Sequence, residues 1–269
     1  MDVMHLDGHP KASAASGAVT DRPRRALSIV VPAYNEEKRI TASLETLQKF
    51  LDRRGYLGEI LVVSDGSTDN TVEVVNEIAR RNPLVRILSY RRNRGAGHAV
   101  RVGVLAARHP AILYTDADLS TPIEELDQLW PRFDAGCDIV MASRHLQQSR
   151  LEIAQPAYRR YMSKTFRMIV SMLCVRGFRD TQCGFKLFRS KPAKEIFSRL
   201  VSDRFTFNIE ALMYARKMRL KIAEVPVRWS DVDGSRIRVV GESFRTSLEI
   251  VRLCARSSGR AGNIEQLLM

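Results

Sequence analysis

The 269-residue chain is predicted to be an α/β protein, a mostly parallel central sheet flanked by helices. Two observations carry that prediction. Short apolar runs alternate with stretches whose apolar residues recur at helical spacing, the pattern of strands joined in parallel through helical crossovers. The small and acidic residues with chemical potential fall directly after the apolar runs, where strand ends open into loops.

Residues 1–25 are rich in Ala, Ser, Gly, Asp and Arg without periodicity and read as a disordered leader. Leu27 to Val31 is a strand stopped by Pro32, and residues 36–51 form a helix with Ile40, Leu44, Leu47 and Leu51 on one face. The unit repeats as strand 60–63 with helix 69–81, then strand 85–88 with helix 97–107, before a fourth buried strand at 111–114. Past residue 145 the alternation fades into a helical stretch at 156–175, a loop at 176–190, a helix at 207–218 and a strand from Ile222 to Val227. The main domain is expected over 26–240, in halves 26–120 and 121–240, followed by an amphipathic helix and tail at 241–269.

Basic residues outnumber acidic ones 43 to 30, a formal charge of +13, and 34 of the 43 are arginine. The partner is therefore expected to carry negative charge, whether nucleic acid, anionic membrane or phosphorylated substrate. The four cysteines form no Cys-x-x-Cys pair, which argues against a zinc site or a disulfide scaffold. No apolar run approaches the roughly 20 residues needed to span a bilayer, and the first 25 residues lack the apolar stretch of a signal peptide.

Asp116 and Asp118 follow the fourth strand, and two carboxylates one residue apart can converge on a hard divalent cation that bridges diphosphate oxygens. An isolated Asp-x-Asp is equally at home in a turn. Asp65 lies among small residues in Ser64-Asp65-Gly66-Ser67, where a carboxylate could read a base or ribose or only shape the turn. Asp69 reads as a helix cap. In Asn93-Arg94-Gly95-Ala96-Gly97, two glycines precede a helix as they do in anion-binding loops, a weak signal without a Walker lysine.

Four segments, collinear and correctly spaced, resemble glycosyltransferase family 2: Val30-Val31-Pro32-Ala33-Tyr34-Asn35-Glu36, Val63-Ser64-Asp65-Gly66-Ser67-Thr68-Asp69, the glycine loop and Asp116-Ala117-Asp118. The resemblance implies a GT-A fold, the Rossmann-like fold of nucleotide-diphospho-sugar transferases, with 26–120 as its donor half and 121–240 as its acceptor half. It assigns donor binding to Pro32, Ala33, Tyr34, Glu36, Asp65 and Gly97, and the diphosphate and a Mg²⁺ or Mn²⁺ ion to Asp116 and above all Asp118. The block Arg179 to Phe188, the segment Phe205 to Glu210 and Val225-Pro226-Val227-Arg228-Trp229 are similar to dolichyl-phosphate glucosyltransferases and their bacterial polyprenyl-phosphate relatives. Two departures stand out. Ala96 replaces a frequent lysine, leaving any phosphate contact there to Arg94, His98 or backbone, and the eukaryotic members' amino-terminal membrane helix has no counterpart in these residues.

A lipid-phosphate acceptor is chemically coherent with so many arginines. A phosphate monoester, with a second pKa of about 6, is largely dianionic near neutrality and needs positioning more than deprotonation. Arg144, one of Arg159 and Arg160, and Ser163 form the expected acceptor-phosphate clamp. Asp180 and Gln182 are expected to bind sugar hydroxyls, while Glu210 either orders the acceptor side or pairs with an arginine. Arg236, between Ser235 and Arg238, is expected on a loop closing over the donor phosphates. The basic and apolar residues of 156–175 and of 244–256 suit a membrane interface as well as they suit a core or a partner helix.

The expected activity is inverting transfer of glucose from UDP-glucose to a polyprenyl phosphate at the cytoplasmic face of an anionic membrane. A GDP-mannose donor or a soluble acceptor is the near alternative, and a homo-oligomer is left open. A nucleic-acid-binding module, motivated by charge, is disfavoured because aromatics are not interleaved with the basic residues as stacking platforms. A dinucleotide oxidoreductase would show Gly-x-Gly-x-x-Gly where Pro32-Ala33-Tyr34-Asn35 stands.

Overall fold

The computed structural model describes residues 25–151, Val175 and residues 177–230. Arg159, Arg160, Ser163 and Arg236, with most of the expected helix at 156–175 and all of 241–269, lie outside the described residues.

The donor half folds as strand β1 (Ala26–Ala33), helix α1 (Ile40–Arg54), β2 (Leu57–Asp65), α2 (Thr71–Arg81), β3 (Val85–Tyr90), α3 (Ala96–Ala106) and β4 (Ala111–Thr115). After a short 3₁₀ turn come α4 (Leu126–Asp134), β5 (Ile139–Ser143), the two-residue β6 (Arg150–Leu151), β7 (Phe185–Arg189), α5 (Ser190–Arg199), α6 (Phe207–Lys217), β8 (Ile222–Pro226) and β9 (Arg228–Trp229). Seven strands form one sheet in the order β3-β2-β1-β4-β7-β5-β8, and β6 pairs with β9 beside it. All of its pairings are parallel except those of β7, which runs antiparallel to β4 and β5.

The alternation of strand side chains explains the layers. Ile29 and Val31 join the core under α1, α2 and α4, while Val30 points the opposite way, to the core that includes Val100 and Val104 of α3 and Phe197 of α5. Each fully buried Ile, Leu or Phe of these cores contributes about 1.5–3 kcal/mol through removal from water.

Two expectations need correcting. The loop expected at 176–190 contains β7, which with the unexpected β5 and the expected strand at 222–227, found as β8, extends the same sheet. The buried lysine explains the misreading: Phe185 and Leu187 enter one core, Phe188 the other, but Lys186, 2% exposed, breaks the apolar pattern at an inward position. Arg25, assigned to the leader, is anchored. Its guanidinium pairs with Asp134 at 2.7 Å and lies 4.1 Å from the centre of the Trp130 ring.

Helix α1 begins at Ile40 instead of Glu36 because the preceding residues are held from outside. Asn35 takes a left-handed conformation (φ 56°), the Glu36 N–H donates to Thr71 Oγ1 at 2.8 Å and the Glu37 N–H to Asp69 at 3.2 Å. Among the described residues no helix is long and apolar enough to cross a membrane.

Candidate active site

Strand register brings the chemistry to one edge of the sheet. Ala33 pairs with Ser64, Asp65 with Tyr90 and Thr115 with Phe185, so the residues that follow β1, β2 and β4 gather beside those that precede β7. Ser143 pairs with Pro226, which adds Arg144 and the β8–β9 segment to the same edge. A cavity of about 460 Å³ opens there, and Pro32, Ala33, Tyr34, Glu36, Asp65, Asp116, Asp118, Arg144 and Gln182 all line it.

The first two motifs interlock. Asn35 Oδ1 accepts from the Thr68 N–H at 2.7 Å, while the Asn35 N–H donates to Ser67 Oγ at 3.1 Å. Asp65, 3% exposed, accepts from Tyr90 Oη at 2.7 Å and from the Arg94 and Gly95 N–H groups at 2.8 Å each. It therefore fastens the glycine loop in place. The Arg94 and His98 side chains, the candidate stand-ins for the missing lysine, turn to Asp203 at 3.2 and 3.3 Å, which leaves the backbone around Gly95 and Ala96 on the cavity wall.

Gly97, expected at the donor, is instead a packing position. A Cβ there would lie 2.7 Å from the Arg204 carbonyl oxygen and 2.8 Å from Phe207 Cβ. Gly97→Ala should destabilise the fold by about 1–3 kcal/mol through overpacking, read as a lowered denaturant midpoint. An unchanged midpoint would mean that the 202–207 segment is not pressed on α3.

The acidic pair lines the same cavity, half-buried. Tyr114 Oη lies 3.3 Å from Asp116 Oδ1, and Asp118 Oδ1 accepts from the Ser120 N–H at 2.9 Å. Ser43 Oγ donates to the Ala117 carbonyl at 2.6 Å and fixes the backbone between the two acids. Burial first, and the Asp118 charge second, push the Asp116 carboxyl up to about 7, against the pull of Lys186. Gly184 makes the close approach possible, since a Cβ there would stand 2.0 Å from Asp116 Oδ2.

Arg144 lines the cavity with its guanidinium held edge-on. Its Nε and Nη2 donate to Asp180 at 2.7 and 3.0 Å, and its ring-facing side lies 5.5 Å from the Trp229 centroid. Burial alone would raise the Asp180 carboxyl, but the charge and hydrogen bonds of Arg144 outweigh it and hold the group far below the usual carboxylate range. Both Asp180 oxygens are thus engaged, so it orients Arg144 rather than meeting sugar hydroxyls, a correction to its expected role. Gln182 does line the cavity, and among the described residues its buried Nε2 has no partner. Glu210 is 3% exposed and accepts from the Val201 and Ser202 N–H groups, so it braces the segment after α5 and does not line the cavity.

Residues 28–197 match the family described as glycosyl transferase family 2. The chain belongs to that family. Over 238 residues it is 36% identical to a human dolichyl-phosphate β-glucosyltransferase, a match covering 82% of this chain and 72% of that one. Proteins of the same name from Dictyostelium discoideum and Saccharomyces cerevisiae are 36% and 32% identical, each over 84% of this chain and 73% of theirs. The fold is similar to Mycobacterium tuberculosis glucosyl-3-phosphoglycerate synthase in complex with Mn²⁺, UDP-glucose and phosphoglyceric acid: TM-score 0.65, 20% identity, covering 87% of this chain and 80% of that one. The GT-A architecture expected from the sequence is the one observed.

The acidic pair of this family 2 glycosyltransferase fits a divalent cation. Asp116 and Asp118 repel one another on a half-buried wall, a repulsion that a cation would relieve, and the bare Gly184 leaves room for the Asp116 carboxylate. No group of three or more His, Cys, Asp or Glu ligands gathers among the described residues, so the remaining coordination would come from diphosphate oxygens and water, the manner in which Mg²⁺ is commonly held. Sequence reasoning missed Arg39, Ser120, Gly184, Arg204, Phe205, Asn208 and Trp229 as lining residues. Gly184, Phe205, Asn208 and Trp229 lie inside blocks whose resemblance was already visible. Arg39 and Ser120 carried no signal, because each reaches the cavity only through a turn after its motif.

Proposed function

We propose that the chain transfers glucose from UDP-glucose to a polyprenyl phosphate with inversion, giving a β-linked polyprenyl-phosphate glucose. The observation that carries this reading is a cavity joining a nucleotide cradle and an acidic pair to an oriented guanidinium. The relatives' shared name supports both the sugar and the lipid acceptor.

In this reading Pro32, Ala33 and Tyr34 grip the nucleoside together with Asp65 Oδ2, which among the described residues accepts only the Gly95 N–H, and Glu36 is held on Arg39 at 2.6 Å beside them. Asp118, with Asp116 behind it, would hold Mg²⁺ or Mn²⁺, which when bound supplies positive charge to the departing diphosphate. Arg144 spends its Nε and one Nη2 hydrogen on Asp180, so the Nη1 hydrogens remain for the acceptor phosphate. That phosphate attacks the anomeric carbon in a single displacement, and since it is already ionised the site needs no general base. The described carboxylates on the wall all have partners: Glu36 and Asp65 are engaged with protein groups, Asp116 meets the Tyr114 hydroxyl and Asp118 holds a backbone N–H. Access to a lipid phosphate, together with the +13 charge, favours peripheral association with the cytoplasmic face of an anionic membrane.

Incubation of the protein with labelled UDP-glucose, polyprenyl phosphate and Mg²⁺ should yield organic-extractable label. Label only in a water-soluble product, with 3-phosphoglycerate offered as acceptor, would overturn the lipid assignment, and transfer from GDP-mannose alone would overturn the donor.

A further inference from the structure

Asn208 stands at the start of α6, lines the cavity and is 3% exposed. Its side-chain Oδ1 accepts from Lys186 Nζ at 2.7 Å. Lys186 is buried on β7, also donates to the Cys183 carbonyl, and does not line the cavity. An ammonium has donors only, so the end of the amide facing it must be the oxygen. The Nδ2 of Asn208 is therefore the end turned to the cavity, and the buried lysine prevents the amide from flipping. Phe207, one residue before it, packs on Tyr114 at 5.9 Å between ring centroids, and Tyr114 Oη touches Asp116. Asn208, Tyr114 and Asp116 line the same cavity. On the same wall, the Gln182 Nε2 is a second amide donor, buried and without a partner among the described residues.

Among the described residues neither of these two N–H₂ donors on the cavity lining hydrogen-bonds a side chain, and an amide donor is a weak ligand for a cation. They suit the lone pairs of sugar hydroxyls. We propose that Asn208 is a specificity-determining residue that reads one hydroxyl of the transferred hexose through Nδ2, with Lys186 as the positioning residue that fixes its orientation. The proposal rests on the reading of the donor as a nucleotide-hexose, but not on that hexose being glucose.

Asn208→Asp isolates the donor group, because it keeps an oxygen for Lys186 and removes both amide hydrogens. With UDP-glucose the variant should lose about 10- to 100-fold in kcat/KM, the scale of one hydrogen bond to a buried partner, while its affinity for UDP stays unchanged. The decisive measurement repeats this comparison with the 2-, 3-, 4- and 6-deoxy donors. For one of them the wild-type rate should already be low and the substitution should cost nothing more. A loss of equal size with every deoxy donor, or a parallel loss of UDP affinity, would mean that Asn208 is structural and would overturn the proposal. Asn208→Ala, which removes the donor without adding charge, gives the same deoxy-donor test should the added charge of Asp unfold the chain. If the wild type transfers a different nucleotide-hexose, only the glucose assignment falls, and the cycle on that hexose's deoxy derivatives decides Asn208. If it transfers no hexose from any nucleotide-hexose offered, both readings fall.

Discussion

Asp118→Ala should reduce glucosyl transfer by about 10³-fold or more while leaving the protein folded. The size follows from the charge that a cation at this position would place on the leaving diphosphate, worth several kcal/mol of barrier. The fold has little at stake. Asp118 is partly exposed, and among the described residues its hydrogen-bond partner is the Ser120 N–H, so the structural loss is about 1 kcal/mol. Part of that returns, because the change also removes a like charge that raises the Asp116 carboxyl. Label transfer and the thermal midpoint measured on one preparation check both halves. Activity within tenfold of wild type would remove Asp118 from the metal, and a collapsed midpoint would make the loss uninformative. Asp118→Asn separates these outcomes, since its amide oxygen can still accept from Ser120 while the charge is gone.

How far such a site can be read before folding depends on whether its residues act locally. The motifs after β1 and β2 were legible from their place at strand ends, but their interlocking was not, since Asn35 meets Ser67 and Thr68 across 32 and 33 residues. The four parallel strands were legible because each is a short, mostly apolar run, interrupted only by Ser28 in β1 and Arg86 in β3 over the stretches expected as strands. β7 was not. Its core-facing Lys186 is tolerated only because Cys183, far closer in space than an apolar pattern could suggest, and Asn208, 22 residues on, satisfy its ammonium. Asp180 was misread for a similar cause. Its two oxygens are engaged by Arg144, 36 residues away, and nothing near either residue announces the pairing. Gly97 and Glu210 follow the same rule, since each serves the 200–207 segment rather than the cavity. Residues at strand ends could be assigned to the site from sequence, but which of them face the ligand and which hold a neighbour is set by long-range partners.

The Arg144–Asp180 pair tests that distinction most sharply. Asp180→Asn should destabilise the protein by about 3–5 kcal/mol near neutral pH, because it leaves a guanidinium that is only partly solvated without its counter-charge. The pH dependence has a definite sign. The folded Asp180 carboxyl lies below its unfolded value of about 4, so its contribution is fully present above that pH and is lost as pH falls towards the folded value. The stability gap between wild type and Asp180→Asn should thus be largest at neutral pH and narrow steadily below about pH 4. Denaturant unfolding at several pH values measures it, and a gap that stays constant into acid would show that the carboxylate charge is not what stabilises the pair. Arg144→Met in the Asp180→Asn background should recover much of the stability, since replacing both partners removes the stranded charge. It should not recover transfer, because the guanidinium proposed to meet the acceptor phosphate is gone. Stability restored together with activity would mean that Arg144 serves only the fold.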